Sequence, residues 1–441
     1  MIRVGALVLG LVLTRVAPAQ EEPQPPVPET TTPIEHVITL MQESHSFDNY
    51  FGTYPGADGL PSGTCIPVDP AEAGGRCIVP FPLTDRPVTD AGNPDGLFAR
   101  QYGNGAMDGF VSAFKGDATG EQSMGYYDDE QVPLYWNTAD NYVLFDKFFA
   151  SATGGSLWNH FYWIAGQPGN PESDVVKPEG FADVTTIFDR LEEKGISWKF
   201  YVENYDPSIT YRNTGDGDRA AQISRVPLLT IPRFLDDPRL NRRIVPLDQY
   251  FVDLQNDELP AVSYIVPSAS SERPPRSAQA GERLFRSLLN ELMRSKAWNT
   301  STFLLTYDNS VGWYDHVAPP QVDRYGYGFR VPALLVSAYA RQGYVDSTVL
   351  DFTSILKFIE ENWNLEPLSQ RDAAATSFAS ALDFEQPPRR PVLLDRERDP
   401  SPPVRSLGKV VYLSYGGVAC LSVALLSVGM VTTHWRRRAA G

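Results

Sequence analysis

Basic charge is scarce in this chain: 38 Lys and Arg stand against 54 Asp and Glu over 441 residues, a formal net charge of −16. A surface that tracks phosphate backbones draws its affinity from clustered Lys and Arg, so nucleic acid is excluded as a partner. Histidine is rarer still, at five. His36 opens an apolar run and reads as structural, whereas His45, His160 and His316 each sit in a polar cluster. Cysteine numbers three. Cys65 and Cys77 bracket a Gly/Pro-rich stretch, CIPVDPAEAGGRC, which predicts a local disulfide in an oxidising compartment; the alternative, a metal pair, has no neighbouring Cys or His to support it. Cys420 falls in an apolar segment, and no internal repeat is present.

What the chain does have is apolar bulk, 42% hydrophobic and 12% aromatic, enough to bury a large core. The ends read as targeting segments. Residues 1–19 have the layout of an export signal: Arg3, an apolar stretch over 4–13, then Ala17, Pro18 and Ala19. Residues 20–33 are a Pro-rich acidic spacer and 385–409 a Pro/Arg-rich linker. Residues 410–433 carry no charge and are long enough to cross a bilayer, and the basic tail 434–441 follows. By the positive-inside rule that layout predicts a single-pass membrane protein with the body extracytoplasmic and the C-terminus cytoplasmic.

Between the ends, apolar runs alternate with amphipathic segments. Runs at 37–41, 141–149, 196–202, 261–267, 302–307 and 330–338 read as strands, and 183–195, 281–298 and 351–362 as helices. The alternation predicts an α/β fold with a mainly parallel sheet, helices on both faces and long inserted loops, among them a loop-dominated cap or insertion at about 204–259. Two of the strands end in an acid, Glu43 followed by Ser44, and Asp308 followed by Asn309. In an open α/β sheet that is the carboxyl edge, where ligands bind. A third cluster, TGGSLWNH, places Ser156 after two glycines at a predicted helix start, with Asn159 and His160 one turn on. Ser156 is then either a nucleophile candidate or an N-cap. Carboxylates, hydroxyls, amides and imidazoles in this combination suit a hard divalent cation and a phosphoryl group. The competing chemistry, a Ser-His-Asp acyl hydrolase, lacks a G-x-S-x-G elbow here.

These stretches resemble a known family, the bacterial phosphoesterases that include phosphatidylcholine-type phospholipase C and related acid phosphatases. The resemblance covers about 34–384 and runs through QESHSFDNYFG, MGYYDDEQVPLYW, FFASATGGSLWNH, LPAVSYIVPSASSERPP, TYDNSVGWYDHVAPP and GYGFRVPALLVSAYARQGYV. It implies an alkaline-phosphatase-like fold, Glu43 and Asp308 as metal ligands, Ser156 as nucleophile, Asn159 near the phosphoryl group and His316 in the site. The chain departs from the family pattern at Ser44 (usually Asn), Asn309 (usually a second acid), Arg273 (His), Phe352 (His) and Val311 (Gly). Ser44 and Asn309 fall in metal-ligand positions, and Arg273 offers a bidentate phosphate contact beside His160. The implied activity is a membrane-tethered phosphoesterase acting on phospholipid or small phosphoester substrates with a divalent metal. The alternative is a catalytically impaired relative that binds a lipid or a partner protein through the same cleft.

Overall fold

The computed structural model describes residues 29–84, 88–93, 96–115, 117–170, 173 and 175–395. Eight strands form one sheet: β1 (His36–Gln42), β2 (Val143–Phe145), β3 (Trp198–Val202), β4 (Ile244–Pro246), β5 (Val262–Val266), β6 (Ser301–Tyr307), β7 (Ala333–Ser337) and β8 (Tyr344–Asp346), in the order β8-β2-β7-β6-β1-β5-β3-β4. All neighbours pair in parallel except across β7, which runs against both β6 and β2. The expected mainly parallel α/β sheet is therefore present.

The central position of β1 follows from its composition. Val37, Ile38, Leu40 and Met41 are all buried, on both faces of the strand, so the run is apolar without alternation, as in strands covered by helices on each side. The helices that supply the cover include α1 (Phe47–Phe51), α2 (Ser156–Ala165), α3 (Ile187–Glu193), α4 (Gly217–Arg225), α5 (Asp248–Gln255), α6 (Ala278–Arg294) and α7 (Phe352–Trp363). In α6, Leu284, Phe285, Leu288, Leu289 and Leu292 recur on one buried stripe. The expected strand over 141–149 is interrupted after Phe145, because the buried turn at Asp146 gives its carbonyl to Arg330 at 2.8 Å. Residues 204–259 are more regular than a loop: they carry α4 and α5 and add β4 to the edge of the sheet.

The membrane-crossing segment expected at 410–433, and the single-pass placement built on it, require correction. No helix among the described residues is long and apolar enough to cross a membrane. The long helices are amphipathic, as α6 illustrates. The export signal expected over 1–19 and the basic tail expected over 434–441 lie outside the described residues, as do 1–28 and 396–441 throughout. The described part of the expected linker packs on the body: the Arg389 N–H donates to the Ala338 carbonyl at 2.8 Å and Leu394 is buried. Cys65 and Cys77 are joined in a disulfide, with Cα atoms 5.4 Å apart.

Candidate active site

The register of the two central strands sets the site. Gln42 of β1 lies opposite Tyr307 of β6, so the next residues, Glu43 and Asp308, leave the sheet side by side at its carboxyl edge. The Asp308 N–H donates to the Gln42 carbonyl at 2.9 Å, and the Ser44 N–H donates back to Asp308 Oδ1 at 3.1 Å. Ser44 makes that turn with φ of 69°, a left-handed conformation that Asn adopts more readily than most other side-chain-bearing residues. Both carboxylates are buried, but their surroundings differ. Burial would raise the Glu43 carboxyl; the Arg225 guanidinium, 3.1 Å from Oε2, and a short hydrogen bond from the Ser271 hydroxyl outweigh it and hold Glu43 below its ordinary value. Burial and the charge of Glu43 push Asp308 up, offset only in part by the neighbouring Ser156 hydroxyl, the Ser44 N–H and Arg273. Asp308 Oδ2 and Asn309 Oδ1 are buried without a hydrogen-bond partner.

Ser156 is the first residue of α2, with Gly155 as the N-cap. Its side chain makes no cap; its Oγ instead accepts from Asn309 Nδ2 at 3.3 Å, which brings it to the end of β6. Ser156 thereby stands at the helix end where first-turn N–H groups lack intrahelical acceptors. Gly154 is required by packing, since a Cβ there would lie 2.3 Å from the Trp158 ring. Asn159 uses its amide to hold the turn before the helix: Oδ1 accepts from the Ala152 N–H at 2.9 Å, and Nδ2 faces the carbonyls of Ala152, Gly154 and Gly155. His160 Nδ1 donates to the Ser156 carbonyl at 2.8 Å, leaving Nε2 as an unpartnered, buried acceptor. Burial lowers its pKa to about 4, so the ring is neutral.

His316 belongs to a neighbouring cluster. Its Nδ1 donates to Asp48 Oδ2 at 2.7 Å and its Nε2 faces Asp58 Oδ1 at 3.3 Å. Burial opposes the charged ring, but Asp48 and Asp315 outweigh it and raise the pKa. Asp48, Asp315 and His316 offer ligand atoms within 4.8 Å of one another, a grouping that could hold a metal ion. A fixed cation already serves it: buried Arg330 reaches Asp48 Oδ1 at 3.0 Å and Asp315 Oδ1 at 2.9 Å. Among the described residues His316 makes no hydrogen bond to Glu43, Asp308 or Ser156. Arg273 is tied to Asp90 at 2.9 Å and feels the charges of Glu43 and Asp308. Phe352 is fully buried against Phe148, in the core. His45 is a packed ring, stacked between Tyr50 and Trp313.

Sequence reasoning missed Arg225, Ser271 and Glu272. Arg225 lies in the segment read as loop, and nothing in its neighbours marks it. Ser271 and Glu272 stand in the SSERPP run, overshadowed by Arg273, the residue there that departs from the family pattern.

Two buried carboxylates and a serine at a helix N-terminus thus stand together on the carboxyl edge of a mainly parallel sheet, the edge at which open α/β sheets bind ligands. The chain belongs to the phosphoesterase family, whose profile matches residues 34–366, and is a hydrolase acting on phosphoric ester bonds. Phospholipase C A of Mycobacterium tuberculosis is 28% identical over 427 residues, covering 82% of this chain and 80% of that protein. Non-hemolytic phospholipase C of Pseudomonas aeruginosa is 27% identical over 427 residues, covering 81% of this chain and 58% of that protein. Among solved structures, a protein in the alkaline phosphatase superfamily from Vibrio parahaemolyticus aligns with a TM-score of 0.37 at 12% identity, over 74% of this chain and 66% of that one. The phosphonate monoester hydrolase of Agrobacterium radiobacter aligns with a TM-score of 0.39 at 9% identity, over 79% and 77%.

Proposed function

We propose that the chain hydrolyses phospholipid or small phosphoester substrates in the manner of a phospholipase C, with Ser156 as the nucleophile. The observation that carries this reading is the state of Ser156: it is at the first turn of α2, does no capping, and meets the Asn309 amide beside Asp308. Its Oγ attacks phosphorus, the P–O bond to the leaving alcohol breaks, and a phosphoseryl ester forms that water then cleaves. The α2 N–H groups stabilise the equatorial oxygens, and Arg273 adds a positive charge at the rim. Asn159 acts by fixing the turn that aims Ser156. His316 is given no direct step, since its bonds go to Asp48 and Asp58.

A divalent cation fits the same edge. Asp308 Oδ2 and Asn309 Oδ1 are buried acceptors with no partner, and Glu43 and Ser44 adjoin them, an all-oxygen set of the kind hard cations take. When bound, the ion lowers the pKa of the nucleophilic hydroxyl and neutralises charge on the phosphoryl oxygens. A second reading, an impaired relative that binds without turnover, is favoured by one observation: Glu43 already has a counterion in Arg225, and Asn309 brings no charge. Release of p-nitrophenol from bis(p-nitrophenyl) phosphate, screened over Mg, Ca, Mn and Zn with a chelator control, separates the two. Metal-dependent turnover supports the hydrolase; none under any ion, with phospholipid vesicles still bound, supports the impaired relative.

A further inference from the structure

The peptide plane between Ser151 and Ala152, at the head of the turn that delivers Ser156 to α2, is gripped on both of its edges. On one edge the Ala152 N–H donates to Asn159 Oδ1 at 2.9 Å. On the other, Nη2 of Arg371 donates to the Ser151 carbonyl at 2.7 Å. A peptide plane is rigid, so holding its N–H and its C=O fixes the direction in which the chain leaves it. Only Thr153, Gly154 and Gly155 then precede Ser156, and the two glycines supply little rigidity of their own. The aim of the serine hydroxyl therefore depends on what holds the plane.

Arg371 comes from a distant segment, α8 (Gln370–Ala374), whose N-cap is Ser369. Its Nη1 is fixed by Asp323 Oδ2 at 2.7 Å, and buried Asp351 lies 3.7 Å from Nη2. The guanidinium lies over the Tyr162 ring of α2 at 4.9 Å and over the Tyr327 ring at 4.6 Å. Arg371 thus touches both the turn before α2 and α2 itself. The same segment meets the far end of that helix: Ser369 Oγ lies 2.8 Å from the carbonyl of Gly166, the α2 C-cap, and a Cβ on Gly166 would lie 2.8 Å from that Oγ. Ser151 is also tied by its side chain, whose hydroxyl oxygen accepts from the Phe352 N–H at 3.1 Å. An ammonium in place of the guanidinium would answer the charges of Asp323 and Asp351, but it lacks the planar fork that spans Asp323 and the Ser151 carbonyl together.

We propose that Arg371 is a positioning residue for the attack by Ser156: with Asn159 it fixes the Ser151–Ala152 plane, and through that plane the place of the nucleophilic oxygen. The inference rests on the reading of Ser156 as nucleophile and adds to it a residue that touches neither the substrate nor the reacting atoms. Among the described residues, the hydrogen bonds and ion pairs of Arg371 reach neither β1 nor β6, from which Glu43 and Asp308 leave, so its loss displaces the serine relative to the carboxylates.

Steady-state hydrolysis of bis(p-nitrophenyl) phosphate by the full chain tests this, each variant being assayed well below its own melting temperature. Arg371→Lys keeps the charge and is expected to lower kcat by at least about tenfold with KM unchanged, since a misplaced nucleophile slows the chemical step without weakening ground-state binding. Because Asn159 and Arg371 hold one plane, Arg371→Lys combined with Asn159→Ser is expected to lose less than the product of the two single losses, by about threefold or more. A purely structural role shows instead as a lower melting temperature with the kcat of the folded protein retained. That outcome, a loss confined to KM, or single losses that simply multiply, overturns the proposal. Ser156→Ala reports separately. Turnover lost in Ser156→Ala and kept in Arg371→Lys removes the positioning role alone, whereas wild-type turnover that is absent, or that survives in Ser156→Ala, removes the reading of Ser156 and this inference with it.

Discussion

Arg225, the last residue of α4, forms an ion pair with Glu43 at 3.1 Å in which only 6% and 4% of the two side chains are exposed. The contact ties the 204–259 segment to the end of β1. Two charges out of water are tolerated only together; removing one leaves the other uncompensated, at a cost of about 3–5 kcal/mol. Arg225→Met is therefore expected to lower the stability measured by urea unfolding by that amount, and Arg225→Met combined with Glu43→Gln to recover most of it. A divalent cation should raise the melting temperature of Arg225→Met more than that of the wild type, because it replaces the lost counterion. A single variant as stable as the wild type would show that the pair does not hold α4 to the sheet.

Ser156→Ala is expected to lower kcat by several orders of magnitude with stability changed by less than about 0.5 kcal/mol, since the hydroxyl caps nothing. Turnover and the urea midpoint are measured on the same preparation. Undiminished turnover would assign the attack to another group.

Asn309→Asp restores an acid beside Asp308. Without a cation the added charge faces Glu43 and Asp308 and destabilises; with one it becomes a ligand. Calorimetry should show the Kd for a divalent cation falling by about tenfold, or about 1.4 kcal/mol. Hydrolysis is a poor readout for this variant, because the change also removes the amide donated to Ser156. An unchanged Kd would place the ion elsewhere.

Val311 stands at φ of 22°, in a region strongly disfavoured for a β-branched residue. Val311→Gly is expected to stabilise by about 1 kcal/mol, the relieved strain exceeding the entropy that glycine adds to the unfolded chain. A lower melting temperature for the glycine variant would show that the packing of the valine side chain matters more than its backbone.

Glu43 and Asp308 were legible because each closes an apolar run, and a strand followed at once by an acid places that acid on the sheet edge whatever the rest of the fold does. Ser156 was legible through the two glycines and the helix after it. Arg225 was not, because its partner lies far away in the chain and its own segment, rich in Asp, Pro and Arg, lacks the sustained apolar periodicity that marks a helix; only tertiary packing brings it to Glu43. His316 follows Asp315 in a polar motif, yet Arg330, from beyond the motif, fixes where that motif's charges go. Phe352 shows the reverse limit: a position that reads as a lost imidazole is a core position, filled by a ring that packs on Phe148.

The last expectation concerns Glu272, which is fully buried and accepts hydroxyl hydrogen bonds from Tyr50, Tyr135 and Tyr307. Gly281 makes the room, since a Cβ there would lie 1.7 Å from Glu272 Oε1. Burial pushes the carboxyl from its ordinary 4.5 up to about 8, and the three hydroxyls offset only part of that rise. Between those two values the unfolded chain has released the proton and the folded chain retains it, so folding takes up a proton there. Stability from this group is thus fully present below pH 4.5, falls as pH rises, and is lost by about pH 8. The fall is on the order of a few kcal/mol, since each tenfold difference in proton affinity between the folded and unfolded chains is worth about 1.4 kcal/mol at most. Glu272→Gln retains an acceptor for the tyrosines and cannot titrate. Urea denaturation of both proteins at a series of pH values from about 5 to 8 should give a wild-type stability that declines relative to the variant across the range. Parallel curves would show that Glu272 keeps the same protonation state in the folded and unfolded chains.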